Sequence, residues 1–311
     1  MSPNDGLLAE LAPVAGALLE RHLQTSREWF PHELIPYSRG RDAVPGHAWT
    51  TDDADLGGAE LTDAVRSALH VNLLTEDNLP YYVREIDVVF GRGEAWGAWA
   101  QRWTAEEGRH SMAIYGYLMT TRAIDPVALE RARMVQVSTA QVPQPDDARD
   151  ALVYLTLQEL ATRVSHRNTG KLIGDPVGYD LMSRVASDEN LHHLFYRDVT
   201  AAAIELDPSG MVQAIERQVA GFAMPGIGIP DFDRHAALIA RAGIYDLAVH
   251  YEQILVPVVF ETWKVTELTG LTSEAELARD RLVSHIERTG RVGRQLAERR
   301  TAADTLVGLQ S

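Results

Sequence analysis

Two short segments carry the same two side chains at the same spacing: Glu107 and His110 in EGRH, Glu189 and His192 in ENLH. A carboxylate and an imidazole at i and i+3 share one helix face and can reach a common point. Each pair interrupts a stripe otherwise suited to burial. Trp99, Trp103, Ile114 and Tyr117 flank the first; Met182, Val185, Phe195 and Val199 flank the second. Another glutamate precedes each pair: Glu76 by 31 residues on the stripe of Leu69, Leu73, Pro80 and Val83, and Glu159 by 30 residues on that of Leu152, Leu155 and Thr162. The chain therefore repeats Glu, then Glu-x-x-His, in two helical hairpins. Four carboxylates on core faces are costly if left bare. Two divalent cations would balance them, each taking one terminal carboxylate and one histidine and sharing two bridging carboxylates. The mixed oxygen and nitrogen donors suit iron or manganese better than a structural zinc site.

These side chains need long helices to hold them. Apolar spacing predicts helices near 6–24, 61–90, 94–122, 126–136, 147–171, 176–204, 208–220 and 231–269, with a weaker helical tail over 273–305. Asp-Pro at 125–126, 175–176 and 207–208 marks helix starts, because Asp caps and Pro tolerates the first helical position. GRG at 91–93 separates two helices, MPGIGIP at 224–230 reads as a turn, and 30–60 is loop-rich. Pro80 cannot donate to the Glu76 carbonyl, so a kink is expected one turn after that glutamate. The expected fold is all-α: a ferritin-like four-helix bundle with additional flanking helices, one Glu from each of two helices and Glu-x-x-His from each of the other two. One domain over 1–311 is expected, with an N-terminal helix and loop (1–60), the bundle core (61–204) and C-terminal helices (205–311). Glu106 and Asp188, next to the paired glutamates, are candidates to hold the far ring nitrogens of the histidines across the bundle. His193 points about 100° away and is not expected to be a ligand.

The remaining composition excludes other chemistries. There is no cysteine, so disulfides, thiolate metal sites and thiol nucleophiles are absent. The net charge of −15 disfavours nucleic acid and anionic membranes as partners. No signal peptide and no membrane-spanning run is evident, so a soluble cytoplasmic protein without membrane insertion is expected. Seven arginines between Arg279 and Arg300 form a local basic excess, which reads first as a solvated helix face.

NLLTEDNLPYY, RWTAEEGRH, LQELATRVSHRNTGK, DENLHHLFYRD and the late WKVTELTGL resemble the soluble acyl-acyl-carrier-protein desaturases, particularly their actinobacterial branch, over about residues 20–300. The resemblance implies a di-iron, O2-dependent enzyme that places a double bond in a carrier-bound acyl chain. It implies Glu76, Glu107, His110, Glu159, Glu189 and His192 as iron ligands and Thr162 beside the oxygen-binding side. It also implies Trp29, in REWFPHELIP, on a route of electron delivery. A ferredoxin-type donor, an acyl carrier protein and a homodimer, with 61–90 and 94–122 offering an interface, belong to the same expectation. An acidic carrier would need a basic patch, for which the 279–300 arginines, Arg84, Arg131, Arg133 and Lys171 are candidates. Two departures, EEGRH for EENRH and Leu191 where many relatives have Arg, leave ligand spacing intact but open the substrate and outcome. A related oxygenase or N-oxidase of specialised metabolism is therefore the alternative. Storage ferritins are much shorter, and the radical subunit of ribonucleotide reductase more often has Asp at the first ligand position.

Overall fold

The computed structural model describes residues 3–223, 226 and 228–308. Met224, Pro225 and Ile227 of the expected turn, and the chain's first two and last three residues, lie outside the described residues. The described α-helices are α1 (Pro3–Thr25), α2 (Pro31–Leu34), α3 (Asp63–Glu76), α4 (Leu79–Phe90), α5 (Glu94–Thr121) and α6 (Pro126–Thr139). There follow α7 (Ala148–Leu172), α8 (Pro176–Leu206), α9 (Pro208–Ala220), α10 (Phe232–Arg241), α11 (Leu247–His250) and α12 (Ser273–Gly308). There is no strand among the described residues. The fold is the expected all-α, ferritin-like bundle. The caps are local: the side chains of Asp125, Asp175 and Asp207 each accept from backbone N–H groups at the start of α6, α8 and α9, with Pro at the first helical position.

Two expected helices are broken. The chain does not merely kink over 61–90; it stops at Glu76 and restarts at Leu79. With no N–H at Pro80 to continue the ladder, the Asp77 N–H closes onto Leu73 O and the Asn78 N–H onto Thr75 O. The ladder resumes with the Tyr82 N–H on Asn78 O. Neighbouring helices pin this joint. The Asp77 carboxylate accepts from Arg133 Nε at 2.6 Å and Ser111 Oγ at 2.7 Å, and Asn78 Oδ1 accepts from Gln136 Nε2 at 2.8 Å.

The stretch 231–269 is likewise several elements. Gly243, at φ 69°, ends the first piece after α10, and Asp246 caps α11 by accepting from the Val249 N–H. α11 runs directly into a π-helical segment, Tyr251–Thr262, that contains Pro257. There the Trp263 N–H bonds Val258 O, five residues back, and Thr262 Oγ1 donates to Pro257 O. Both bonds reach five residues back, the wider spacing of a π-helix.

Helices α3, α5, α7 and α8, with α4 continuing α3, make the bundle; α1 lies against α5 and α8, α10 against α3, and α12 along α9 and α11. Buried apolar side chains form two main clusters. One gathers Trp99, Trp103, Leu152, Phe195 and Val199 with residues from α1, α9 and α12; the other gathers Leu69, Ile114, Tyr117, Met182 and Val185. Along α5 and α8 the turns bearing Glu107, His110, Glu189 and His192 lie between the two clusters. A polar layer thus crosses the middle of the bundle.

Candidate metal centre

The six side chains singled out by spacing converge in that layer. Glu76 comes from the end of α3, Glu107 and His110 from α5, Glu159 from α7, and Glu189 and His192 from α8. All six are buried. They form two overlapping groups, Glu76 with Glu107, His110 and Glu189, and Glu159 with Glu107, Glu189 and His192; within each group the donor atoms lie inside 4.8 Å of one another. Glu107 and Glu189 belong to both groups, which is the geometry of two bridging carboxylates between two terminal ones.

Both histidines aim Nδ1 inward. His110 Nδ1 is 3.4 Å from Glu107 and 3.3 Å from Glu189; His192 Nδ1 is 2.9 Å from Glu107 and 3.6 Å from Glu159. These approaches are close but not aligned as hydrogen bonds. His110 Nδ1, His192 Nδ1, Glu107 Oε1 and Glu159 Oε2 are buried without a hydrogen-bond partner. Orphaned polar atoms of this kind are rare in a folded interior and call for a bound ion or water. A pair of divalent cations would use all four, so the residues present fit the group implied by the spacing.

The far ring nitrogens face Glu106 and Asp188. His192 Nε2 lies 2.9 Å from Glu106 Oε2, and His110 Nε2 lies 3.4 Å from Asp188 Oδ2. Trp29 is 3% exposed; its Nε1–H donates to the same Asp188 oxygen at 2.8 Å, and its ring stacks parallel to His110. Arg109 donates to Asp188 at 3.0 Å and sits over the Trp29 ring. Thr162 Oγ1 contacts Glu189 Oε2 at 3.1 Å and can donate back to Glu159 O at 3.0 Å within its own helix. His193 turns away, with Nδ1 2.9 Å from Thr156 O.

Three partners were not visible in the sequence pattern. His22 of α1 lies 2.9 Å from Glu106 Oε2, His166 Nε2 lies 2.8 Å from Glu76 Oε1, and Trp103 Nε1 donates to Glu159 Oε1 at 3.0 Å. His22 did carry a signal: it continues the buried α1 stripe of Leu7, Leu11 and Ala15. Its partner, however, is 84 residues away.

Burial and mutual charge pull the carboxyls of this layer in opposite directions. Burial pushes the Glu76 carboxyl up to about 7, with His166 pulling the other way and Glu107 and Glu189 adding to the rise. Burial, then the Glu189 charge, holds Glu159 well above the ordinary carboxylate range. Burial also opposes charge on Glu189, but His110 and His192 outweigh it and hold that carboxyl well below the usual range. Burial alone would strip both imidazoles; facing carboxylates instead keep His110 and His192 well above the ordinary histidine value.

A row of cavities passes the layer. An outer chamber of about 920 Å³ lies under Arg241, Arg299 and Arg300. Tyr245 and Ala236 line both it and an inner cavity of about 150 Å³ that reaches Glu76 and Thr162. Glu76 and Thr162 also border a small space beside Glu107 and Glu189, and Tyr82 connects that to a last niche at Phe90, Ala151 and Tyr154.

Fold and site together define a helical bundle around a buried carboxylate–histidine cluster with the donor set of a two-metal centre. The family model described as fatty acid desaturase matches residues 4–307, and the chain belongs to that family. It is 42% identical over 286 residues to DesA1 of Mycobacterium tuberculosis, which is named an acyl-[acyl-carrier-protein] desaturase; the match covers 89% of this chain and 83% of that protein. DesA2 of the same organism, similarly named, is 31% identical over 243 residues, 78% of this chain and 86% of that one. The X-ray structure of DesA2 superposes with a TM-score of 0.69 at 27% identity, covering 85% of this chain and 97% of that chain.

Proposed function

We propose that this protein introduces a double bond into an acyl chain carried on an acyl carrier protein, using two iron ions held by Glu76, Glu107, His110, Glu159, Glu189 and His192. What carries the reading is the row of cavities that leads past the carboxylates of a fatty acid desaturase family member. It would lay an extended chain against the layer and keep bulk water from it. The iron, when bound, supplies O2 activation. The balance is one O2, two donor electrons and two protons, with two C–H bonds lost, giving one alkene and two waters. A ferredoxin-type protein would supply the two electrons.

The chain's own residues position the rest. His166 and Trp103 fix the terminal carboxylates of Glu76 and Glu159, while Glu106 and Asp188 orient the two imidazoles. Thr162, on the cavity wall next to Glu189, would pass a proton; its hydroxyl lies 3.1 Å from the Glu189 carboxylate. The carrier would dock at the outer chamber. Most arginines singled out for that role already have partners: Arg279 with Glu276, Arg281 with Glu216, Arg133 with Asp77, Arg300 with Asp246. Arg241 and Arg299 at the chamber have none among the described residues and are the better candidates. The chain would act as one domain, since α1, the bundle and α12 share one apolar cluster, and as a homodimer in the cytoplasm.

The test is direct. Iron-loaded protein is supplied with O2, NADPH, ferredoxin reductase, ferredoxin and a panel of acyl carrier substrates, and products are read by mass spectrometry. Loss of two hydrogens is expected. Gain of one oxygen would identify a hydroxylase instead, and an untouched panel would reject both.

A further inference from the structure

A second feature lies on the outer face of the same two helices, away from the cavities. Arg163, Arg167 and Lys171 follow one another at i, i+4 and i+8 along α7 and line one wall of a groove of about 400 Å³. Tyr179, Ser183, Ser187 and Asn190 of α8 line the other. Neither Arg163 nor Arg167 has an ion pair or hydrogen bond among the described residues, nor do the side chains of Ser183, Ser187 and Asn190. In a chain of net charge −15, where most arginines of the bundle are paired, two adjacent unpaired guanidiniums are unusual. Burial, and then Arg167, already make the charge on Arg163 harder to hold. An anionic surface laid into the groove would relieve that repulsion.

We infer that this α7–α8 groove is the docking surface for the acidic, electron-carrying protein that reduces the metal centre. The assignment rests on the desaturase reading, and the groove's position selects the electron donor over the acyl carrier. None of the residues lining the groove lines the row of cavities, so an acyl chain delivered here would have no path inward. The groove does lie behind the metal layer. Arg163 follows Thr162, Arg167 follows His166, Ser187 precedes Asp188 and Asn190 follows Glu189. A partner seated there is about one helix thickness, roughly 10–12 Å with side chains, from the carboxylates. Electron tunnelling weakens steeply with distance, so a donor seated one helix thickness from the carboxylates suits this role. Asp188, which the groove flanks, is also the residue shared by Trp29 and His110. A second copy of this chain is a poorer occupant, because a two-fold axis through the groove would set the same cations against each other.

The experiment uses full-length, iron-loaded protein and the variant Arg167→Glu/Lys171→Glu, both sites being exposed. The expected result is a KM for ferredoxin raised at least tenfold and a flattened salt dependence of that KM, with KM for acyl carrier substrate and iron content unchanged. The neutral pair Arg167→Gln/Lys171→Gln should fall between. An unchanged KM for ferredoxin overturns the inference, as does a rise in carrier KM alone, which would give the groove to the carrier. Conversion of a wild-type dimer to a monomer would give it to a second copy. Titration of oxidised ferredoxin onto both proteins gives a readout that needs no turnover. Weaker binding to the Glu variant supports the groove even if no alkene forms, and equal binding rejects it even if alkene does form.

Discussion

Removing the charge of Glu76 should make the metal-free protein more stable at neutral pH, by an amount that grows with pH. The Glu76 carboxyl is fully enclosed and titrates near 7, against 4.5 for the free side chain. Between those values the folded protein keeps a proton that the unfolded chain releases. Stability is therefore lost as pH rises through this window, and the full loss is present above it. A gap from 4.5 to about 7, at about 1.36 kcal/mol per unit, is on the order of 3 kcal/mol. Glu76→Gln keeps the shape of the protonated acid and cannot ionise. Urea midpoints of metal-free wild type and variant should nearly coincide at pH 4.5 and separate progressively to pH 8, the variant being the more stable. With iron bound the order should reverse, because Gln is a poor ligand and the wild-type carboxylate is then paired. A midpoint difference that stays constant or shrinks from pH 4.5 to 8 would refute the reasoning.

Further outcomes follow from other parts of the structure. Two glycines of α5 should respond oppositely to alanine. A Cβ at Gly108 meets nothing within 4 Å, so Gly108→Ala should stabilise by about 0.5–1 kcal/mol; one at Gly116 runs into the Ile35 side chain, so Gly116→Ala should cost about 1–3 kcal/mol, both read by thermal unfolding. Burial, then His285, depresses His250 to about 4, so stability is lost as pH falls from 6.5 toward 4. His250→Gln should blunt that acid loss by roughly 2–3 kcal/mol in denaturation at pH 4.5 relative to pH 7. His22→Leu removes a support of Glu106 and should weaken iron retention about tenfold in a chelator competition.

The site was legible because its signal is local. Glu at i and His at i+3 on a buried stripe can be read within one helical turn, and the matching glutamates 31 and 30 residues upstream repeat it. The Asp-Pro starts were legible for the same reason. What escaped depends on distant partners. The break at Asp77 was foreshadowed by Pro80, but a complete stop rather than a kink is secured by Arg133, Ser111 and Gln136 from two other helices. The π-helical segment has no period of its own, since an apolar run with one proline suits α and π spacing equally until packing chooses. His166 reads as an ordinary helix residue until α7 is brought against α3, and the partner of Trp103 appears only when α5 meets α7.

The polar layer between two apolar clusters has a consequence for how the molecule holds together. It is a seam: across it the bundle has carboxylates and imidazoles where other bundles have leucine. Filled with cations, the seam is a rivet joining four helices at mid-length; without them, the helices are joined there by hydrogen bonds such as His166–Glu76, Trp103–Glu159 and His192–Glu106. Loading metal would then do more than equip the protein for chemistry. It would stiffen the middle of one continuous bundle, with slowed amide exchange on α5 and α8 spreading outward from Glu107 and Glu189 in both directions.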